Sequence, residues 1–324
     1  MSDKRIVVAA HGHCFDGVVS ATLFTHLRET IAARPFRYKY KSCGYGPNMQ
    51  TVPERWLNGH ENAIVDFRFT SSRRLTWYFD HHLTAFSNDR QRDQALKQSK
   101  RYFFDPTYSS CTRLIADVGR ERYGVDFSPF ADLIEWADRI DAAAFESARE
   151  AIDRSRAVMR LAAIVEQRGN GPLYQELIPK LRHESVDDIM ETETMAEHWG
   201  EIAAAAEDTK RRIAAALEQR DRVAVTDLSA APLKGSGKFV SYALAPDSTY
   251  AVALIRMKQH YKISVGYNPW APHPRRHDIA SLCRRYGGGG HLAVGAISVP
   301  LNRIEEAKRT AEEVIAYLNG EPES

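Results

Sequence analysis

Cysteine is scarce in this chain of 324 residues, and no two of its four cysteines form a CxxC pair. This spacing excludes the usual patterns of a disulfide framework or a zinc knuckle, and it is typical of a protein from a reducing cytoplasm. Long apolar runs are also absent, since none approaches the ~20 residues that cross a bilayer. The apolar run at residues 6–10 is too short for a signal peptide. We therefore expect a cytoplasmic protein without a membrane partner.

A strong charge of either sign is absent as well. Lysine and arginine number 44, aspartate and glutamate number 42, and the formal net charge is only +2. Proteins that follow long nucleic acids are usually strongly basic, so we do not expect long duplex nucleic acid as a partner. A small anionic substrate held in a local pocket is compatible with this balance.

The first part of the chain alternates strand-like and helix-like segments. A helical pattern of apolar residues at 17–29 follows the first predicted strand. The predicted strands are residues 5–10, 36–40, 62–66, 75–80 and 101–104. Short strands separated by helical stretches are typical of βαβ units and a mainly parallel sheet. Basic and aromatic residues alternate at 37–41, which favours an edge strand over a base-stacking surface.

The rest of the chain predicts a helical segment and then a second, smaller α/β region. Residues 147–221 are rich in alanine, glutamate and arginine and predict a helical connector. Further strands are predicted at 223–227, 250–257, 261–267 and 295–299, with helices at 278–286 and 303–319. The predicted fold class is α/β, with a mainly parallel-sheet domain at 1–146, the connector at 147–221 and the smaller domain at 222–324.

Acidic and imidazole side chains follow the predicted parallel strands. They occur at 11–16 after the first strand, at Asp66, and in Asp80-His81-His82. Because ligands collect at the carboxyl ends of parallel strands, these groups are expected to lie together. Carboxylates brought together repel one another unless cations are present, and such nitrogen and oxygen donors bind divalent metals. A carboxylate able to bridge makes room for two metals ~3.5–4 Å apart.

Each of these residues also has a simpler explanation when it stands alone. His11 or His13 could be an ordinary loop histidine, and Asp66 could be a turn residue. Asp138 and Asp141 could lie on a solvated helix face. The ordered set favours a metal site, because folding alone does not explain so many acids and imidazoles at strand and helix ends.

A run of glycines at 287–290 lies between a predicted helix and a predicted strand and is followed by His291. Glycine permits positive φ and lets backbone N–H groups come close to an anion. The guanidinium group of Arg276 could supplement the glycine run, because guanidinium groups match phosphate geometry. We therefore expect an anion-binding loop formed by Gly288, Gly289, Gly290, His291 and Arg276.

Together these residues resemble the DHH phosphoesterases that carry a C-terminal DHHA1 domain, the superfamily of bacterial nanoRNases and RecJ exonucleases. The resemblance rests on His11 with Asp16-Gly17, on Asp66, on Asp80-His81-His82, on Asp138 and on the glycine run before His291. The serine-rich turn at 105–112 also resembles the family, and Ser110 joins the candidate substrate-binding residues. The resemblance implies a DHH domain with two divalent metals, usually Mn²⁺, and a DHHA1 domain whose glycine loop contacts the substrate.

By the same resemblance, one metal would take Asp16, Asp66, His81 and Asp138, with Asp141 as the alternate to Asp138. The other would take His11, Asp66 and Cys14, which stands where the family usually has an aspartate and places the chain in a Cys-containing subgroup. Three alternatives are open. Cys14 ligates as a thiolate and favours iron or zinc, His13 replaces it, or the second metal binds weakly or only with substrate.

The resemblance implies hydrolysis of phosphodiester or phosphomonoester bonds by a metal-activated water. His82 would hydrogen-bond a substrate oxygen, and Asp80 would orient His81 through its second ring nitrogen. The expected partners are short oligonucleotides, bisphosphate nucleotides or linear dinucleotides. Exopolyphosphatase or pyrophosphatase and single-strand exonuclease activities are alternatives. A non-catalytic nucleotide-binding regulator with a degenerate metal site is the alternative of another class, and a homodimer stays open.

Overall fold

The computed structural model describes residues 4–32, 35–44 and 51–320. Its helices and strands follow one another in the order β1 (Arg5–His11), α1 (Phe15–Thr30), β2 (Arg37–Cys43), β3 (Glu61–Val65), β4 (Trp77–Asp80), α2 (Asp89–Gln98), β5 (Tyr102–Phe104), α3 (Cys111–Tyr123), α4 (Ala131–Asp141), α5 (Ala148–Ile152), α6 (Ala157–Arg168), α7 (Gly171–Lys180), α8 (Val186–Glu191), α9 (Glu193–Ala216), β6 (Leu217–Arg220), β7 (Val223–Leu228), α10 (Val240–Leu244), β8 (Tyr250–Arg256), β9 (His260–Tyr267), α11 (Ile279–Arg285), β10 (Gly289–His291), β11 (Val294–Pro300) and α12 (Ile304–Asn319). None of the described helices has both the length and the apolar character that a membrane crossing needs.

The chain divides into two compact units. The first comprises Met1–Ala144 and Arg154–Trp199, and the second comprises Phe145–Asp153 and Gly200–Ser324. The stretch expected to be a connector is therefore divided between the two units. The functional boundaries expected at 146 and 221 stay a prediction.

The first unit contains a parallel sheet with the strand order β2-β1-β3-β4-β5. Strands β3 and β4 are almost wholly buried, as expected where both faces of a parallel sheet are covered. Strand β2 is an edge strand, as its alternating pattern predicts. Its Tyr40 is buried, and the hydroxyl oxygens of Tyr40 and Thr25 of α1 lie 3.1 Å apart. Tyr40 therefore belongs to the packing of the sheet against its helices.

The register of the sheet determines which residues meet at its carboxyl edge. Val65 lies opposite Ala10 on one side and opposite Phe79 on the other. The residues that follow these three positions therefore come level with one another, and they are His11, Asp66 and Asp80. The carboxyl edge of the sheet thus gathers acidic and imidazole groups next to a mainly apolar core.

The second unit contains a sheet with the order β10-β11-β9-β8-β7-β6, in which β7 and β8 run parallel and the other neighbouring strands run antiparallel. Helix α12 packs on this sheet and buries Val314 and Leu318. The glycine run leads into the short edge strand β10. Gly290 has φ of 155°, and a Cβ atom there would lie 2.2 Å from the carbonyl oxygen of Val294. Glycine is therefore required at this close approach of two strands. Both units agree with the predicted α/β class.

Candidate metal centre

Asp66 lies at the middle of the polar groups on the carboxyl edge of the first sheet. Its side chain is fully buried and its φ is 56°. Among the described residues neither carboxylate oxygen accepts a hydrogen bond of standard geometry, and the nearby Cys14 thiol only partly offsets the effect of burial on the pKa of Asp66. Three imidazoles face it instead. His11 Nδ1 lies 3.4 Å from Oδ2, whereas His81 Nε2 and His82 Nδ1 lie 3.8 and 3.5 Å from Oδ1. A buried carboxylate in a left-handed backbone conformation is costly, and such strain concentrates at functional sites.

Asp16 is held by the beginning of helix α3. Its Oδ2 accepts a hydrogen bond from the backbone N–H of Cys111 at 2.8 Å, and its Oδ1 accepts one from that of Thr112 at 2.9 Å. These N–H groups belong to the first turn of a helix, where they have no partner within the helix and favour a negative charge. The carboxylate is thus oriented, with Oδ2 3.9 Å from Nε2 of His81.

His81 is oriented by a backbone carbonyl group. Its Nδ1 lies 3.0 Å from the carbonyl oxygen of Tyr108. Because a carbonyl oxygen can only accept, Nδ1 carries the proton and Nε2 of the neutral ring keeps a lone pair. That Nε2 is buried, has no hydrogen-bond partner in the described part of the chain, and lies 3.4 Å from Oδ2 of Asp141. His81 therefore presents a nitrogen suited to metal ligation.

Asp80 orients His82, not His81 as the sequence predicts. Its Oδ1 lies 2.8 Å from Nδ1 of His82 and accepts hydrogen bonds from the backbone N–H groups of both histidines. Its Oδ2 accepts a hydrogen bond from the hydroxyl of Tyr78 at 3.0 Å. Burial lowers the pKa of His82, but the hydrogen bond and charge of Asp80 outweigh burial and raise that pKa above its ordinary value. The prediction for Asp80 is wrong because the carbonyl of Tyr108 already occupies Nδ1 of His81.

Among the described residues the donor atoms form three compact groups that fit metal ligation. Within each group, one nitrogen, oxygen or sulfur atom from every residue lies within 4.8 Å of the others. The groups are His11 with Cys14 and Asp66, Asp66 with His81 and His82, and Asp16 with His81 and Asp141. Asp66 belongs to two of them, so its two oxygens can serve two neighbouring cations. Imidazole nitrogen, carboxylate oxygen and thiol sulfur suit divalent transition metals.

The protonation energetics of these groups also favour a cation. Burial and then the carboxylates of Asp16 and Asp141 raise the pKa of Asp66 well above its usual value. Burial and the neighbouring His82 lower the pKa of His11 to about 4. The protein environment therefore opposes a negative charge on Asp66 and a positive charge on His11. A divalent cation would favour both the ionised carboxylate and the neutral imidazole.

The geometry favours Asp141 over Asp138 as the acid beside His81, whereas the sequence predicts Asp138 with Asp141 as the alternate. The Oδ1 atom of Asp138 accepts hydrogen bonds from the hydroxyls of Ser109 and Ser110 at 2.6 and 2.7 Å. Its Oδ2 pairs with Nε of Arg113 at 3.3 Å. Both oxygens of Asp138 thus have protein partners.

Ser110, a candidate substrate residue, is fully buried and serves the fold. It caps helix α3 by accepting a hydrogen bond from the N–H of Arg113, and its hydroxyl donates to Asp138. A buried capping serine with both functions engaged is not available to a substrate in this conformation. The structure thus gives Ser110 a structural role, and its substrate-binding role stays a prediction.

Cys14 lies among the ligating groups, whereas His13 turns to another partner. The Nδ1 atom of His13 lies 3.0 Å from the carbonyl oxygen of Glu166 in α6, and this side chain is exposed. Cys14 is the N-cap residue of α1 but makes no side-chain capping bond. Its Sγ belongs to the group with His11 and Asp66. Of the two residues considered as the ligand here, Cys14 and His13, Cys14 is the one that lies next to Asp66.

Sequence reasoning missed the support that α7 gives to this segment. The hydroxyl of Tyr174 donates to the carbonyl oxygen of His11, and it also lies 3.5 Å from that of Cys14. Tyr174 is fully buried. Nothing in the pattern of the supposed connector signals this contact, because it depends on how α7 packs against β2 and α1. The connector thus supplies part of the site's framework.

The remaining candidate residues belong to the second unit. Gly288 is tightly enclosed, since a Cβ atom there would lie 2.2 Å from the carbonyl oxygen of Ala296, whereas Gly289 has open space. Arg276 is exposed, and its backbone N–H donates to the hydroxyl of Tyr250 at 2.8 Å. Their substrate-binding role, together with that of Gly290 and His291, stays a prediction.

Comparison with family models and with curated proteins finds no match. Solved structures do match over nearly the whole chain. A pGpG-specific phosphodiesterase from Vibrio cholerae has a TM-score of 0.71 at 19% identity, covering 97% of this chain and 99% of that one. A DHH domain described as a member of a family of ribosomal proteins has a TM-score of 0.61 at 12% identity, covering 98% and 88%. The chain has the fold of the DHH family.

A third structure with the DHH fold is RecJ from Thermus thermophilus in complex with Mn²⁺. It has a TM-score of 0.54 at 14% identity and covers 97% of this chain, but the chain spans only 52% of RecJ. The resemblance predicted from the motifs is therefore confirmed at the level of the fold. The acidic and imidazole groups at the carboxyl edge lie within this DHH fold and could hold metals.

Proposed function

We propose that this protein is a divalent-metal-dependent phosphoesterase that hydrolyses a phosphodiester bond in short linear nucleotides. The observation that carries the proposal is Asp66, a fully buried carboxylate that imidazoles and further acids face. Within the described parts of the chain its oxygens accept no hydrogen bond of standard geometry. An arrangement of this kind is unfavourable unless cations compensate the charges. The DHH fold, shared with a phosphodiesterase and with RecJ, supports the same conclusion.

Two cations, with Mn²⁺ as the first candidate, would be held by two sets of residues that share Asp66. The first set is Asp16, Asp66, His81 and Asp141, and the second is His11, Cys14 and Asp66. When bound, the cations would supply Lewis acidity for the phosphate oxygens and for the attacking water. A thiolate from Cys14 would make the second set more favourable for iron or zinc.

His82 is the group proposed to act on the substrate. Its Nδ1 is engaged by Asp80, so its Nε2 is the atom left to donate a hydrogen bond or a proton to the leaving oxygen. The raised pKa of His82 increases the fraction of protonated ring near neutral pH. Asp80 in turn is held by Tyr78, which limits the rotation of the pair. Asp80 is therefore a positioning residue for His82.

The proposed substrate is a linear dinucleotide or a similarly short phosphorylated nucleotide. The matching structure from Vibrio cholerae is described as pGpG-specific, and it matches nearly its full length. The net charge of +2 favours a small anion over a long polymer. We further propose that the glycine run of the second unit and Arg276 contact the substrate phosphate.

A hydrolysis panel with Mn²⁺-loaded protein tests the proposal. The panel comprises linear dinucleotides including pGpG, short oligonucleotides, 3′,5′-bisphosphate nucleotides, polyphosphate and single-stranded DNA. We expect dinucleotide hydrolysis that chelation removes, that Mn²⁺ restores and that His81→Ala lacks. If the metal-loaded protein turns over none of these substrates and His81→Ala still binds nucleotide, the protein is a non-catalytic regulator. Preference for polyphosphate would instead support the exopolyphosphatase alternative.

Asn substitutions at the two acids of α4 should have different consequences. Asp141→Asn is expected to lower metal affinity and activity by more than about tenfold. Substitution of groups that only orient metal ligands already lowers these quantities about 10–100-fold. Asp138→Asn should spare metal affinity but lower the free energy of unfolding by roughly 1–2 kcal/mol, since it weakens hydrogen bonds to two serines and Arg113. Metal titration and thermal melts of both variants separate the two roles. Loss of metal in Asp138→Asn alone would return the ligand role to Asp138.

A further inference from the structure

A cavity lies at the amino-terminal edge of the parallel sheet in the first unit, opposite the carboxyl edge. Its volume is about 460 Å³, within the range of roughly 300–1,000 Å³ for small-molecule sites. The residues that line it precede β3 and β4 or begin these strands, whereas the metal-centre residues follow the same strands. From Asn62 to Asp66 the strand advances roughly 13 Å, at about 3.3 Å per residue. The cavity is therefore separate from the metal centre, and we call it the basal cavity.

The lining of the basal cavity is basic. Its polar lining residues are Asn58, His60, Asn62, Arg73, Arg74 and Thr76, with no acid among the lining residues. Within the described part of the chain, neither arginine pairs its guanidinium group with a carboxylate. Glu61, the acid adjacent in sequence, is engaged elsewhere by Arg28 at 2.6 Å. Two exposed arginines that line one cavity and form no ion pair with a described carboxylate favour an anionic occupant.

The walls of the basal cavity are fixed by a buried amide. Asn62 is 2% exposed, accepts a hydrogen bond from the N–H of Gly59 at 2.9 Å, and donates one to the carbonyl oxygen of Arg74 at 2.9 Å. It thereby links the loop before β3 to the loop before β4. The hydroxyl of Thr76 adds a second link by donating to the carbonyl oxygen of Asn62 at 2.8 Å. The arginines are therefore carried by a backbone that is already ordered, which lowers the entropic cost of binding.

His60 adds a donor to the same cavity. The backbone N–H of Arg5 donates to its Nδ1 at 3.1 Å, so this nitrogen acts as the acceptor and a neutral ring carries its proton on Nε2. The guanidinium group of Arg5 in turn donates to the carbonyl oxygen of Asn58 at 2.8 Å and supports the loop. The lining of the cavity thus includes two arginines, a histidine and three further polar residues. Guanidinium groups form bidentate hydrogen bonds with phosphate oxygens.

We propose that the basal cavity binds the diphosphate group of a small anion, with Arg73 and Arg74 as its main ligands. The volume exceeds what a diphosphate alone needs and leaves space for a nucleoside. The site would be independent of hydrolysis at the metal centre, so the proposal does not rest on the function proposed above. Free pyrophosphate and a nucleoside diphosphate present the same chemistry and are distinguished by experiment.

Calorimetric titration of the full chain tests this site. The protein would carry His81→Ala and be treated with chelator, so that the metal centre contributes little to binding, and the probes are pyrophosphate and GDP. We expect saturable binding that Arg73→Ala and Arg74→Ala each weaken about tenfold or more. Arg90→Ala removes an exposed arginine of α2 and is the matched control. Tighter binding of GDP would identify a nucleotide site, and equal binding would identify a diphosphate site.

Two further measurements keep the result independent of folding. Arg74→Lys should keep part of the affinity, because the charge remains while the bidentate geometry is lost. Hydrogen exchange of 57–60 and 73–76 should slow when the anion binds to the unsubstituted protein. The proposal is overturned if neither probe binds saturably, or if Arg90→Ala weakens binding as much as the two cavity substitutions do. Unchanged binding in both Arg73→Ala and Arg74→Ala would overturn it as well.

Discussion

Asp66→Asn is expected to lower phosphodiester hydrolysis by more than about 100-fold and, in the absence of metal, to make the protein more stable. The loss of activity follows because Asp66 is the residue shared by the two proposed ligand sets. Substitutions of groups that merely orient metal ligands already lower metal affinity or activity about 10–100-fold. Removing the charge of a ligand that both sets share should therefore lower the activity by a larger factor.

The gain in stability follows from the burial of Asp66. Its carboxylate is fully buried, accepts no protein hydrogen bond of standard geometry and lies near the acids Asp16, Asp80 and Asp141. Asparagine keeps the shape and removes the charge, so the repulsion disappears. A gain of about 1 kcal/mol would raise the melting temperature by roughly 2–4 °C for a unit of this size. Excess Mn²⁺ should reverse the order of stability, because it binds the wild-type folded state more tightly.

The pH dependence of the metal-free protein gives a further readout of the same substitution. The pKa of Asp66 in the folded state lies above the unfolded value, so between these two pKa values the folded state binds the additional proton. The free energy of unfolding must then fall as pH rises through that window. Asp66→Asn should lose this part of the slope, whereas Asp132→Asn, at an exposed position of α4, should keep it. Thermal melts with chelator at several pH values measure the difference. A metal-free Asp66→Asn protein less stable than wild type throughout would contradict the account.

The apolar strands and the acids that follow them are predictable from sequence because both are local patterns. The runs that end at Val65 and at Asp80 indicate buried parallel strands, and parallel strands bring their carboxyl ends to one edge. These local patterns alone predict that Asp66 and His81 lie close together. This prediction requires no knowledge of which helix packs on which face.

The assignments within the site depend on tertiary contacts and on side-chain direction. Asp138 and Asp141 are three residues apart on one helix, so they share a face and sequence spacing does not separate them. Their tertiary contacts do so: Asp138 accepts hydrogen bonds from Ser109 and Ser110 and pairs with Arg113, whereas Asp141 lies beside His81. Asp80 is the last residue of β4, so the loop that follows, and not the period of the strand, determines that Asp80 contacts the ring of His82.

Cys14→Asp should shift the metal preference of the site from iron, zinc or cobalt toward Mn²⁺, by about tenfold or more in relative affinity. The Sγ atom of Cys14 makes no capping hydrogen bond to α1 and lies in the ligand group with His11 and Asp66. Burial and then the carboxylate of Asp66 raise the pKa of its thiol well above the ordinary value, so the metal-free protein keeps the proton. An ion must displace that proton to bind. Thiophilic ions form the stronger bond to sulfur and do so more readily than Mn²⁺, which prefers oxygen.

Cobalt substitution makes the ligand visible without any assay of activity. Wild-type protein loaded with Co²⁺ should show a thiolate-to-cobalt charge-transfer band in the near ultraviolet, and Cys14→Asp and Cys14→Ala should lack it. Cys111→Ala is the matched control, because Cys111 is buried near Asp16 but belongs to none of the ligand groups among the described residues. With Mn²⁺, Cys14→Asp should hydrolyse dinucleotides at least as fast as wild type, since it supplies the carboxylate that Mn²⁺ prefers. A band that persists in Cys14→Asp but vanishes in Cys111→Ala would assign the thiolate ligand to Cys111, and the second ligand set would then consist of His11 and Asp66 without Cys14.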